Sequence, residues 1–409
     1  MMRERFLLTK KTRWLGAFSY RSFGSKELVD SFGRKHNYLR MSLTERCNLR
    51  CVYCMPAEGV QLTPQSALPT LEERQLLMGT FIDKFGVDKI RFTGGEPTIS
   101  PHLTPMVAYA KDRGVRSIGI TSNGVVLERH LDTLVSAGLT HVNISLDSLN
   151  KSKFAKLSRR DGSVLGRVLS SIQAALNKNL HVKINAVLMR GINDDELIDF
   201  VNLTRSGNTY FSGDAPDVRF IEVMPFQGNA WERSKLMKYD EALEHLQYGH
   251  GVLLEPSMAS LTSAPIDRSS KMDPHDTTKW YSLPASDAEA EVGSSSQGHR
   301  QGRVGFITTM SSPFCGGCNR VRVTADLRLK SCLFGADSDE EDLLPVVRRA
   351  LLETQVPAHT PGKVPGHGLL QKAIRDTVMK KHYSLGGHRS TQGLVDNEEN
   401  NRPMITIGG

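Results

Sequence analysis

The run Tyr38-Leu39-Arg40-Met41-Ser42-Leu43-Thr44-Glu45-Arg46-Cys47, with Cys51 and Cys54 following it, decides the fold class. Side chains alternate faces along an extended chain, so residues 38–44 form a strand with Leu39, Met41 and Leu43 in one column and Arg40, Ser42 and Thr44 in the other. The strand then delivers three cysteines into the loop at its carboxyl end, where α/β folds build active sites.

Five more runs repeat this two-column pattern: 89–95, 117–123, 141–147, 181–188 and 217–225. Helical patterns of period 3.6 separate them, such as Met78, Phe81, Ile82 and Phe85, or Leu165, Val168, Leu169, Ile172 and Leu176. Thr70 and Glu73 are spaced as a capping box that opens the first helix. Alternating strands and helices argue for parallel βα units. The expected fold is an α/β, partial (β/α)6 TIM-like barrel.

One strand column is apolar: Ile90 and Phe92, Ile118 and Ile120, Val142 and Ile144, Val182 and Ile184. The other is polar in five consecutive strands and carries Arg40, Lys89, Arg91, Thr121 and Lys183, with Arg219 extending it on the sixth. A parallel strand buried on both faces reads as continuously apolar, so the polar column predicts an enclosed, wet lumen; the alternative is a sheet face open to water. Five cations in a lumen need a counter-charge, and the strand acids Asp147 and Glu222 are too few to supply it. A phosphorylated substrate would, and so would salt bridges to loop carboxylates.

The six cysteines fall into two triads, Cys47, Cys51 and Cys54 as C-x3-C-x2-C and Cys315, Cys318 and Cys332 as C-x2-C-x13-C. Three thiolates per site suit an iron-sulfur cluster that leaves one iron free for a ligand. The rival at the first triad is zinc or unliganded thiols. At the second it is a zinc knuckle completed by a histidine such as His299 or one near the end of the sequence.

Cys47, Cys51 and Cys54, with Tyr53 beside the third, resemble the motif of radical S-adenosylmethionine (SAM) enzymes, and Thr93-Gly94-Gly95-Glu96-Pro97 resembles the glycine-rich segment that meets SAM in them. The second triad, followed by Arg320 and Arg322, narrows the resemblance to the radical SAM GTP 3′,8-cyclase family of molybdenum cofactor biosynthesis. Lys89-Ile90-Arg91, Ser145-Leu146-Asp147, Gly191-Ile192-Asn193-Asp194-Asp195, Arg219-Phe220-Ile221-Glu222 and the final Gly408-Gly409 support it, over residues 36–254 and 304–354.

The resemblance implies two [4Fe-4S] clusters and SAM as cofactors. The first cluster would split SAM to a 5′-deoxyadenosyl radical, which would take the hydrogen from C3′ of GTP so that this carbon adds to C8 of guanine. It further implies that Tyr53, Gly95, Glu96, Ser145 and Met224 meet SAM, and that Arg40, Lys89, Arg91, Thr121, Lys183, Arg219, Arg320, Arg322, Gly408 and Gly409 hold GTP. Arg40, Arg320 and Arg322 carry a catalytic role in that scheme, and the second cluster's open iron would take the guanine base. Expected partners are an electron donor and the downstream cyclic pyranopterin monophosphate synthase, with a homodimer among the expected assemblies. A different radical SAM enzyme with an auxiliary cluster would use the first triad but has no need of the lumen cations.

Charge and composition bound the rest. The net charge of +8 is concentrated in residues 1–26, which carry +6 of it, so the remainder is near neutral and lacks the basic stripe of a nucleic-acid-binding module. No run of 18 or more apolar residues occurs, so no membrane-spanning helix is expected. Residues 1–35, basic and aromatic with almost no acids, read as a transit segment for mitochondrial import, with the matrix as destination. The expected division is a leader at 1–35, the barrel at 36–254, a Ser/Gly/Asp-rich surface insertion at 255–303, and a second-cluster region at 304–409 that closes the lumen. Residues 205–216 and 357–368 read as smaller loop insertions.

Overall fold

The computed structural model describes residues 27–257, 275–283, 299–354 and 366–408. Residues 1–26 of the proposed leader lie outside the described residues, whereas 27–35 belong to the fold: Leu28 is buried in the core, Val29 bridges Lys35, and Arg34 bonds to residues of the second-cluster region, so the leader boundary at 35 is set too far along the chain. Six parallel strands follow in chain order: β1 (Tyr38–Ser42), β2 (Lys89–Thr93), β3 (Ser117–Ser122), β4 (His141–Ser145), β5 (His181–Leu188) and β6 (Asp217–Glu222). The expected runs overshoot every carboxyl end except that of β5. Beyond those ends the chain turns out of the strand ladder into the site loops, keeping single bonds such as Leu43 N to Thr93 O at 2.9 Å.

Between the strands run α1 (Leu71–Phe85), α2 (Leu103–Asp112), α3 (Leu131–Ala137), α4 (Lys151–Ser158), α5 (Val164–Asn177) and α6 (Leu197–Asn202). The capping box forms: Thr70 Oγ1 accepts from Glu73 N at 3.2 Å and the Glu73 carboxylate accepts from Thr70 N at 2.8 Å. Two otherwise orphaned amides at the start of α1 are thereby satisfied. The apolar strand column packs against the apolar helix stripes in one core, with Met41, Phe92, Ile120, Ile144 and Ile184 meeting residues such as Phe81, Met106, Val168 and Ile172. Each such side chain contributes about 1.5–3 kcal/mol by leaving water.

The remaining chain adds α7 (Tyr239–Glu244), β7 (Glu255–Pro256), β8 (Lys279–Ser282), β9 (Val304–Ile307), β10 (Arg320–Val323), β11 (Arg328–Lys330), β12 (Glu341–Asp342), α8 (Leu344–Thr354) and α9 (Gly366–Met379). It grips the six-stranded unit from both sides. β9 runs parallel to β6, pairing Phe306 with Phe220, and β10 runs parallel to β1, pairing Arg322 with Arg40. The sheet order is β12-β11-β10-β1-β2-β3-β4-β5-β6-β9-β8-β7, so the sheet stays open between its end strands.

The reading of 255–303 as a surface insertion needs correcting for its described part. β8 pairs antiparallel with β9, Trp280 opposite Gly305, and residues 275–277 reach the lumen. The run Thr277-Thr278-Lys279-Trp280-Tyr281 has the β-branched and aromatic content of a strand, hidden in sequence by its Ser- and Asp-rich flanks. Among the described residues no helix is long and apolar enough to cross a membrane.

Candidate active site

The cysteine loop is held by the turn after β2. Gly95 N donates to Thr44 O at 2.7 Å and Glu96 N to Arg46 O at 2.8 Å. A Cβ on Gly94 would stand 2.4 Å from Thr44 O, and one on Gly95 would stand 2.2 Å from Arg46 O, so only glycines let these backbones touch. Glu96 is fully buried, and its carboxylate accepts from Thr98 N, Ser122 Oγ and Asn123 N, which ties the turn to the end of β3. Its oxygens thus serve the loop.

Within the loop, Cys47 Sγ accepts from Leu49 N at 3.4 Å, and Tyr53 donates its hydroxyl to Asp147 Oδ2 at 2.8 Å. Burial, then the Asp147 charge and the other two thiols, push the Cys51 thiol well above its usual range; burial, Cys47 and Asp147 push Cys54 up to about 12. Three half-buried thiols that oppose one another's ionisation fit a shared cationic group, which would stabilise all three as thiolates.

Below the loop lies a cavity with an empty volume of about 1200 Å³, counting its open mouth. Arg40, Lys89, Arg91, Thr121, Lys183, Arg219, Arg320 and Arg322 all line it, as do Tyr53 and Met224. Ser145, Gly95 and Glu96 stand outside the lining, at or just beyond the carboxyl ends of β4 and β2. Strand register explains the clustering: Tyr38, Lys89 and Arg320 share one level, and Arg40, Arg91 and Arg322 the next.

The cations oppose one another. Burial and then Arg219 bring Lys183 down to about 7, burial and then Arg320 bring Arg322 down to about 10, and burial with Arg322 pulls Arg40 well below the guanidinium range. Burial alone would raise the Tyr38 phenol, yet Arg91, Arg40, Lys89 and Arg320 together bring it down to about 6. A polyanion in the cavity relieves this repulsion.

The hairpin of β10 and β11 brings the second triad together, Cys315 and Cys318 entering it and Cys332 leaving it. Leu385 N donates to Cys315 Sγ at 3.4 Å, and Lys381 Nζ donates to Cys318 Sγ at 3.4 Å and to Arg320 O at 2.9 Å. His299 faces Asp214 at 3.6 Å. Among the described residues no group of three or more His, Cys, Asp or Glu is set to hold a single metal ion. The donor set of the second triad is again three thiols, the complement that leaves one iron of a cubane open.

Gly408 packs against Arg322, Thr93 and Ser42 but stands outside the cavity lining. Its carbonyl accepts from Arg322 Nη1 at 3.3 Å, its φ is +82°, and a Cβ there would stand 2.5 Å from Thr93 Oγ1. Gly409 lies outside the described residues. Residues the sequence reading passed over also line the cavity. Tyr38, which accepts from Arg91 Nε at 2.7 Å, shares the parity of Arg40 and was legible on that ground. His275, Asp276 and Thr277 carry no periodic signal.

The comparisons agree with this architecture. The family description Radical SAM superfamily matches residues 41–204, and Molybdenum Cofactor Synthesis C matches residues 268–397. The GTP 3′,8-cyclase of Desulforamulus reducens is 35% identical over 385 residues, covering 93% of this chain and 100% of that protein. The Arabidopsis thaliana protein named GTP 3′,8-cyclase, mitochondrial, is 43% identical over 392 residues, covering 94% of this chain and 84% of that one. Molybdenum cofactor biosynthesis protein 1 of Bos taurus is 46% identical over 337 residues, which cover 79% of this chain and 47% of that protein. The chain spans about half the length of that relative and of its like-named counterparts. On the paired family matches and the near full-length likeness, the chain belongs to the radical SAM superfamily and, within it, to the GTP 3′,8-cyclase family.

Proposed function

We propose that the protein converts GTP to 3′,8-cyclo-7,8-dihydro-GTP, the first step of molybdenum cofactor biosynthesis. The observation that carries this reading is one cavity lined by seven Arg and Lys side chains and bordered by both cysteine triads: Tyr53 adjoins Cys54, while Phe314 and Leu333 adjoin Cys315 and Cys332. Family membership brings SAM and a [4Fe-4S] cluster, and Cys47, Cys51 and Cys54 are the residues that would hold it. When bound, that cluster supplies the electron that cleaves SAM. A second cluster on Cys315, Cys318 and Cys332 is part of the proposal.

The chain's own residues then do the positioning. Lys183, Arg219, Lys89 and Arg91 hold the triphosphate, guanidinium groups matching phosphate oxygens through paired contacts. Arg40, Arg320 and Arg322 orient the nucleoside beside the second triad, and Gly408, packed on Thr93 and Ser42 where no side chain fits, offers its carbonyl to Arg322. Tyr53, Gly95, Ser145 and Met224 face the SAM side, with Glu96 holding the turn. A radical SAM enzyme acting on a neutral or peptidic substrate would leave seven lumen cations without use.

Mitochondrial location follows the basic leader and the Arabidopsis relative's name. An electron donor, the synthase that takes the product onward to cyclic pyranopterin monophosphate, and a second copy of the chain complete the expected partners. Anaerobic reconstitution, then incubation with SAM, reductant and GTP, tests the proposal. About eight irons per chain and a cyclised nucleotide are expected. About four irons, or 5′-deoxyadenosine formed equally with and without GTP, would overturn it.

A further inference from the structure

Asp276 stands apart from the rest of the cavity wall. It comes from the stretch between β7 and β8, and it brings a negative charge into a lining dominated by cations. The other lining carboxylate, Glu222, is spent on the backbone, accepting from Tyr239 N at 3.1 Å, Met310 N at 2.7 Å and Ser311 N at 2.9 Å. Asp276 is exposed and is also one of the residues that line the cavity.

The carboxylate is fixed in place by its own segment. Oδ1 accepts from Thr278 N at 3.0 Å and Oδ2 from Trp280 Nε1 at 2.8 Å. The Trp280 ring is itself held between two cations, Lys183 Nζ 5.0 Å and the Arg303 guanidinium 4.2 Å from its centroid. Next to Asp276, Thr277 Oγ1 accepts from Arg320 Nη2 at 2.7 Å. The anchored charge therefore faces the β5–β6 wall, and the Lys183 and Arg219 charges hold its carboxyl well below the usual range even though burial acts the other way.

We propose that Asp276 is a selectivity residue for the phosphate chain: a fixed carboxylate that shares Lys183 and Arg219 with the ligand's anionic end and so limits how much negative charge the cavity accepts. This rests on the reading of the cavity as a nucleoside triphosphate site and deepens it. With the site empty, Asp276 supplies a counter-charge in the same cavity as Lys183 and Arg219, which offsets part of their repulsion. With a ligand bound, it repels the nearest phosphate. That repulsion grows with the number of phosphates in reach, so Asp276 narrows the margin between triphosphate and monophosphate. Its two anchoring hydrogen bonds prevent it from swinging away.

The sign of the effect separates this role from simple anchoring of the segment. Calorimetric titration of the reconstituted full chain, without SAM and at fixed pH and ionic strength, would use inorganic tripolyphosphate, GTP and GMP as probes. Asp276→Asn is expected to bind tripolyphosphate and GTP roughly tenfold more tightly, with GMP changed about twofold or less, because a nearby like charge is removed. Asp276→Glu, which restores the charge, is expected to return affinities toward those of the parent chain. In Lys183→Met/Asp276→Asn the gain should shrink, since the two residues act on each other.

Unchanged or weaker tripolyphosphate binding by a folded Asp276→Asn chain would overturn the proposal, as would no binding of tripolyphosphate by either chain. If tripolyphosphate binding tightens while GTP binds neither chain, Asp276 keeps its role and the assignment of GTP falls.

Discussion

The two cysteine triads are built from the same residues and set in different surroundings. The first is local: Cys47, Cys51 and Cys54 lie in one loop, steadied by the glycine turn after β2, and acids stand near them, Asp147 and the buried Glu96. The second is assembled from distant parts. Arg34 donates to Cys315 O at 2.8 Å, Tyr383 O at 2.7 Å and His382 O at 2.9 Å, while Lys381 reaches Cys318. Burial would raise the Cys318 thiol, yet Lys381 and Arg320 bring it below its usual value; Cys315 is raised, as are all three thiols of the first triad. The difference fits the proposed division of labour. One site sits at the carboxyl ends of the strands, where loops do chemistry, and the other opens on the cationic cavity, where its charge environment also suits a nucleotide.

Exchanging cysteines for alanine should break the comparison most sharply. Cys51→Ala is expected to lose about four of eight irons and to lower SAM cleavage by at least about 100-fold. Cys318→Ala is expected to lose a similar number of irons and all cyclised product while still cleaving SAM. Equal loss of SAM cleavage in both would mean that the triads do not divide the work.

Next in size is the cavity between them. Arg219→Gln, which removes a guanidinium hydrogen-bonded to Asn185 Oδ1 at 2.7 Å, should raise KM for GTP roughly 10- to 100-fold with little change in GTP-independent SAM cleavage. Steady-state kinetics at two ionic strengths would check it, and an unchanged KM would remove Arg219 from the substrate site.

The tether of the second triad sharpens the contrast further. Arg34→Met leaves the buried Asp30 without its 2.6 Å partner and frees three backbone carbonyls, at a cost of about 3–5 kcal/mol. Iron should leave the second site first, which spectroscopy of variants lacking the first triad can follow. Loss of iron equally from both sites would contradict a tether specific to the second.

The smallest effect is one of pH. His36 is buried, faces Asp30 Oδ2 at 3.0 Å, and is lowered from 6.5 to about 4 by burial and then by the Lys381 charge, with Arg34 adding to it and Asp30 opposing. Its folded value lies below its unfolded one, so its contribution is complete above pH 6.5 and is lost as pH falls toward 4, by at most about 3 kcal/mol. Unfolding midpoints should drop over that window, and His36→Gln should flatten the drop. A parallel drop in the variant would assign the acid sensitivity elsewhere.

The barrel was legible because it repeats. Two-column strands such as Leu39/Met41 against Arg40/Ser42 occur in five consecutive strands, and a face that must be wet cannot be concealed by packing. The same parity put Arg40, Lys89, Arg91, Lys183 and Arg219 into one cavity. What stayed hidden is what repetition does not mark. Asp276 and Trp280 sit in a stretch whose composition resembles a surface loop, and their position follows only from β8 pairing with β9. Arg34 and Lys381 act across 281 and 63 residues of sequence, so no local pattern announces them. The glycines of Thr93-Gly94-Gly95-Glu96 were visible as a turn, but their reason, the backbone of Thr44 and Arg46 pressed against them, is a tertiary fact.

The most direct test follows a hydrogen. The reduced, reconstituted protein would be incubated with SAM and GTP carrying deuterium at C3′, and the 5′-deoxyadenosine analysed by mass spectrometry. The account predicts 5′-deoxyadenosine with one deuterium, formed together with the cyclised nucleotide. Unlabelled 5′-deoxyadenosine, formed at the same rate with or without GTP, would contradict it.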